Sequence, residues 1–93
     1  MFPLDAIIVK NERIPWRIIE GEAILVKVDS GEVIHLNEVA AEIWRKIDGQ
    51  RKISEIIDLI QKDFDVDREQ AEKDTLELIK SLSDINLVAK KGK

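Results

Sequence analysis

Residues 21–49, GEAILVKVDSGEVIHLNEVAAEIWRKIDG, leave the backbone little choice. Residues 23–28 and 33–36 are β-branched and aliphatic runs, and Asp29-Ser30-Gly31 lies between them with glycine where a three-residue loop needs positive φ. The spacing predicts a hairpin. Leu36 is followed at once by Asn37, whose side-chain oxygen can accept from the free amides of a first helical turn, and Glu38 sets negative charge at the positive end of the helix dipole. The strand runs with no spare residue into the cap of the helix. Ala40, Ile43, Trp44 and Ile47 recur at i, i+3, i+4 and i+7, Arg45 and Lys46 suit the last turn, and Gly49 offers a left-handed stop, so a helix over 38–48 follows.

Before the hairpin, residues 14–20 read as a strand carrying Pro15, which has no amide to donate and so belongs at a sheet edge. Glu20-Gly21 is a two-residue turn of the kind that joins paired strands. The result is a three-stranded meander with 23–28 in the middle. The apolar opening Leu4, Ile7, Ile8 and Val9 fits either an extra strand or an arm packed on the body. After the hairpin, Ser54 is placed to cap a helix over 55–64 whose apolar face carries Ile56, Ile57, Ile60 and Phe64. Asp67, with Gln70 three residues on, opens a third helix over 68–83, with a buried stripe of Ala71, Thr75, Leu78, Ile79 and Leu82. Ile85, Leu87 and Val88 are placed to return onto the core. Strands first and helices after define a small α+β domain.

A chain of 93 residues buries only about two thirds of the surface its unfolded form exposes, so it has a core but little to spare for a large enclosed active site. With 44% apolar and 37% charged residues it is expected to be globular, and no apolar run approaches a bilayer crossing. No cysteine is present, so disulfides and thiolate metal sites are excluded, and with no signal-peptide pattern in residues 1–10 the expected compartment is the cytoplasm. A net charge of −4 without a basic stripe suits nucleic acid poorly, because that affinity comes from neutralised phosphates. Lys90, Lys91 and Lys93 read as a solvated tail.

Catalytic machinery is not evident. There is no glycine-rich phosphate loop, no His-Glu pair at metal spacing, and the one histidine, His35, has no Ser or Cys close in sequence to activate. Asp63, Asp65 and Asp67 begin like a calcium loop, but Arg68 stands where that loop needs glycine. Trp16 and Trp44 suit packing better than an aromatic cage. What the residues leave unexplained is the outer edge of strand 32–36, a row of free amides and carbonyls. Either a guest peptide adds a strand there, or the arm, a helix or a neighbouring molecule covers it.

The stretch GEAILVKVDSGEVIHLNEVAAEIWRKIDGQRKISEIIDLI resembles the PqqD-like proteins, also called RiPP recognition elements. The likeness rests on a hairpin ending in His35-Leu36-Asn37, on Ala41-Glu42-Ile43-Trp44, on Asp48-Gly49, on Ser54-Glu55-Ile56, and on Asp74 with Leu78-Ile79 and Leu82. It covers residues 14–88. Asn86 stands before Leu87 where members often carry glycine. The resemblance implies a winged-helix-like α+β fold over 14–89, with an arm over 1–13 and a basic tail over 90–93. It implies no enzymatic activity and no cofactor. Such proteins bind the leader of a ribosomally made precursor peptide and present it to a modifying enzyme, a radical-SAM protein or a leader peptidase. The settings are pyrroloquinoline quinone, lasso-peptide and related biosynthesis.

In the family the leader lies as a strand antiparallel to the third strand of the meander, beside the third helix. The resemblance therefore carries peptide binding onto Glu32, Val33, Ile34, His35 and Leu36 for the strand, and Asp74, Glu77, Leu78 and Ser81 for the wall. Backbone pairing gives roughly 2–7 kcal/mol, less several for ordering the peptide, whereas micromolar binding needs about 8. Apolar leader side chains beside Leu78 and Ile34 must supply the rest, with Asp74 and Glu77 attracting a basic one. The competing readings are a winged-helix DNA-binding regulator, whose third helix would present Asp74, Glu77, Lys80 and Asp84 to the groove, and a structural partner subunit of an enzyme. A monomer or weak dimer is expected, with neither nucleic acid nor membrane as partner.

Overall fold

The computed structural model of the chain describes residues 2–92 and resolves them into β1 (Ile8–Lys10), β2 (Trp16–Ile19), β3 (Glu22–Lys27), β4 (Glu32–Leu36), α1 (Glu38–Lys46), α2 (Ile53–Phe64), α3 (Arg68–Asp84) and β5 (Val88–Lys90). Met1 of the arm and Lys93 of the basic tail lie outside the described residues. β2, β3 and β4 form an antiparallel meander with β3 central, and β1 pairs with β5 in a separate two-stranded sheet. The architecture is α+β, a three-stranded sheet followed by three helices.

Local chemistry accounts for most of the joints. Glu20 and Gly21 both take positive φ, 51° and 85°, as a two-residue turn twisted to match its strands requires. The second hairpin closes on the pair Lys27 and Glu32, so its loop runs over residues 28–31 and Val28, expected in the strand, is exposed in the loop. Asn37 caps α1 by accepting from the Ala40 amide at 2.9 Å, and Asp67 caps α3 by accepting from the Gln70 amide at 2.8 Å.

Two helix ends differ from the sequence expectation. α1 stops at Lys46 rather than near 48, because the Asp48 carboxylate accepts from the Gln50 and Arg51 amides, both at 2.9 Å, and this local turn competes with helix. α2 begins at Ile53, ahead of Ser54. Its first free amides need no side-chain cap: Ile53 donates to the Ala6 carbonyl at 2.9 Å and Ser54 to the Leu4 carbonyl at 2.8 Å. The opening residues thus hold α2 by its N-terminus as well as pairing with β5.

The core lies between the inner face of the meander and the helices, with Ala23, Leu25 and Leu36 from the strands meeting Ile43, Trp44, Ile56, Ile60 and Ile79. Trp44 is fully buried and meets the half-exposed Trp16 edge to face, with ring centroids 5.8 Å apart. The Lys10 ammonium lies 4.5 Å from the Trp16 ring centre and 4.8 Å from that of Trp44. Burial holds its pKa below the usual lysine value, which the nearby Asp48 opposes and Arg45 reinforces.

Candidate functional site

Which backbone groups β4 leaves free follows from its neighbour. Val26 donates its amide to the Pro15 carbonyl at 3.0 Å, so it turns its backbone towards the β2 side. Its partner across β3 and β4, Val33, therefore belongs to the pair type that exchanges no hydrogen bonds, and so by alternation does His35, opposite Ile24. Val33 and His35 direct their N–H and C=O groups outwards. Ile34 and Leu36, opposite Leu25 and Ala23, commit theirs to β3. The Glu32 amide donates to the Ser30 hydroxyl at 3.2 Å. No strand among the described residues pairs with this outer edge, since the arm's strand goes to β5 instead.

Side chains alternate oppositely to solvent and core. Leu36 is buried and Ile34 half-buried on the inner face, whereas Val33 and His35 are exposed on the outer face.

Where β4 ends, a cleft of about 340 Å³ opens between α1 and α3, lined by Asn37, Val39, Ala40, Ile43, Asp74, Glu77, Leu78 and Ser81. The four residues assigned to a helical wall are therefore together in one place. Their spacing explains it: positions 74, 77, 78 and 81 share one face of α3. Leu78, assigned to the core stripe on periodicity, is only half-buried because it sits at the margin of that stripe, over the cleft. The residues of β4 do not line the cleft. Asn37, the cap that follows β4 directly, joins the strand edge to it. The opposite wall of Val39, Ala40 and Ile43 was not legible as a site, because its apolar pattern is indistinguishable in sequence from a core-facing helix.

The cleft has an apolar floor and an acidic rim. The Gln70 amide donates to the Asp74 carboxylate at 2.8 Å, which fixes that side chain, while Glu77 makes no ion pair or side-chain hydrogen bond among the described residues. No lysine or arginine lines it. On the exposed side of α3, Lys80 is paired with Asp84 at 3.1 Å. A surface of this sign repels a phosphate backbone and attracts a cationic side chain. The three linker aspartates serve separate purposes: Asp63 pairs with Lys46 at 2.9 Å, Asp65 takes a left-handed turn at φ 52°, and Asp67 caps α3.

An open strand edge that ends at an apolar, acid-rimmed helical cleft defines a small α+β domain of the winged-helix-like class with a groove suited to an extended ligand. The family model for coenzyme PQQ synthesis protein D (PqqD) matches residues 22–88, and the chain belongs to that family. A solved structure described as TbiB1 in complex with the TbiA(beta) leader peptide superposes with a TM-score of 0.76, at 24% identity over 91% of this chain and 96% of that one. It shares the fold. No curated protein matches the sequence significantly. Among the described residues no helix is long and apolar enough to cross a membrane.

Proposed function

We propose that this protein binds the leader segment of a ribosomally synthesised precursor peptide by strand addition to β4 and presents it to a modifying enzyme. The observation that carries the reading is the unoccupied outer edge of β4, with the backbone of Val33 and His35 turned outwards, in a member of the PqqD family. The structurally similar TbiB1 was solved with a leader peptide, which supports the same ligand class here. The leader lies along β4 and continues past Asn37 into the cleft. There an apolar side chain packs against Val39, Ile43 and Leu78, and a basic one meets Asp74 and Glu77. Ser81 closes the far end. Glu32, Ile34 and Leu36 act by holding the edge in register with β3. The role is carriage rather than catalysis, and the client is a radical-SAM maturase or a leader peptidase in peptide natural-product or pyrroloquinoline quinone biosynthesis.

The test is a titration of isotope-labelled protein with a synthetic leader from the precursor encoded beside this chain. Saturable shifts and slowed exchange at the Val33 and His35 amides, larger than at Ile34, are expected. A leader that binds without touching those two amides refutes strand addition.

A further inference from the structure

On the β2 side of the meander, away from the β4 edge, a second cleft of about 410 Å³ is walled by Lys10, Ile14, Trp16, Arg45 and Ile47. Its volume falls in the range of small-ligand sites. Three elements meet to build it: β1 brings Lys10, β2 brings Trp16, and the last turn of α1 brings Arg45. The floor is apolar, since Ile14 and Ile47 are buried, and Trp16, 41% exposed, offers a flat aromatic wall.

The charges decide what can enter. Lys10 is half-buried, with its ammonium over two indole rings, and makes no ion pair among the described residues. Asp48 acts on it only through space, because one carboxylate oxygen accepts the Gln50 and Arg51 amides and the other meets the Arg51 guanidinium at 3.5 Å. Glu12 stands at the exposed rim. Arg45 reaches Glu42 at 3.4 Å through one guanidinium nitrogen, and its other donors have no ion-pair partner among the described residues. The Lys10 ammonium has already lost water in the unliganded protein, and the pairing of β1 with β5 fixes the backbone that carries it. An anion that arrives there gains attraction with little further desolvation or ordering of that lysine.

We propose that this cleft binds a small aromatic carboxylate. The carboxylate meets the Lys10 ammonium and the Arg45 guanidinium, and the ring packs against Trp16 over Ile14 and Ile47. An aliphatic anion would leave the indole wall uncovered, and a neutral ring would leave Lys10 without a counterion. The cleft lies across the meander from β4, so a leader on that edge does not block it, and failure of this proposal leaves the leader reading standing.

The probe is 3-phenylpropionate, titrated into the isotope-labelled full chain at neutral pH. Its amide, 3-phenylpropanamide, lacks the charge, and acetate lacks the ring. Saturable shifts at the Trp16 indole N–H and the Lys10 amide are expected, with a Kd on the order of 1 mM, as two charge-assisted contacts and one ring face give. The amide and acetate should each bind at least tenfold more weakly. Lys10→Met keeps an apolar stem on the indoles and should lose at least tenfold in affinity, and Arg45→Gln at least threefold. The Lys10 pKa, read from its ε-methylene shift, should rise when the site is saturated, which a packing role alone would not produce. Circular dichroism checks both folds, and the exposed Arg45→Gln carries the test should Lys10→Met not fold. Equal binding of the acid and its amide, affinity that survives the substitutions, or no saturable shift at about 10 mM ligand overturns the proposal.

Discussion

Val33→Pro separates strand addition from every other way a peptide might use this surface. Proline removes one amide, and at this position that amide belongs to no hydrogen bond with β3, because Val33 faces Val26 in a non-bonded pair. The hairpin therefore survives, as edge strands tolerate proline where the lost N–H faces solvent. Four backbone groups, two each from Val33 and His35, are available to a leader, worth roughly 2–6 kcal/mol together at about 0.5–1.5 each. Losing one weakens binding by about two- to twelve-fold, and the pyrrolidine ring adds to this by standing in the path of the incoming strand. Isothermal titration calorimetry with a synthetic leader measures the loss, and circular dichroism checks that the variant is folded. Ile34→Pro is the control with opposite behaviour: its amide is committed to Leu25, so it destabilises the hairpin itself. A folded Val33→Pro protein that binds leader like the wild type refutes the pairing argument.

Other perturbations test the surroundings. Glu77→Lys reverses a cleft-rim charge that is unpaired among the described residues and is expected to weaken a leader bearing a basic residue by about 1 kcal/mol, roughly fivefold, with the difference shrinking as salt rises. Thr75→Val replaces a fully buried hydroxyl that has no hydrogen-bond partner among the described residues by a methyl of the same shape. It should stabilise the fold by about 1 kcal/mol, which thermal melts read as a rise of roughly 4–8 °C. Lys10 has a folded pKa below its unfolded value of 10.5, chiefly because burial disfavours the ammonium. The unfolded chain then holds the proton more tightly, so stability rises as pH climbs from the lowered value towards 10.5. Lys10→Met should accordingly be more stable than the wild type at neutral pH, with the advantage fading through that window. Denaturant melts across pH 7 to 11 report it, and an advantage that grows with pH contradicts the assignment.

The pattern of residues from Ile14 to Asn37 was enough to read the meander, because aliphatic and β-branched runs, the turn glycines Gly21 and Gly31 and a side-chain cap are all local signals acting over a few residues. α3 was legible for the same reason, from Asp67 at its start and a 3.6-residue stripe along its length. Asp74, Glu77, Leu78 and Ser81 fall on one helical face by spacing alone, so sequence sufficed to group them. Their assignment to a peptide came from family resemblance. The glycine that relatives often carry before Leu87 is replaced here by Asn86, which takes the same left-handed backbone at φ 66°. Asparagine tolerates that conformation better than other residues with a Cβ, so the turn is kept.

Tertiary structure decided what local signals cannot encode. The cap of α2 comes from the carbonyls of Leu4 and Ala6, and the partner of Ile8–Lys10 is Val88–Lys90, about eighty residues away, so no window of neighbouring residues contains either. The same holds for the far wall of the cleft, where Val39 and Ala40 are left partly exposed above the buried Ile43 because α3 crosses α1 without covering them completely. Composition and periodicity fix which faces of an element are apolar. Whether such a face meets the core, a cleft or water depends on where distant elements dock, and that is set by the packing of the whole chain.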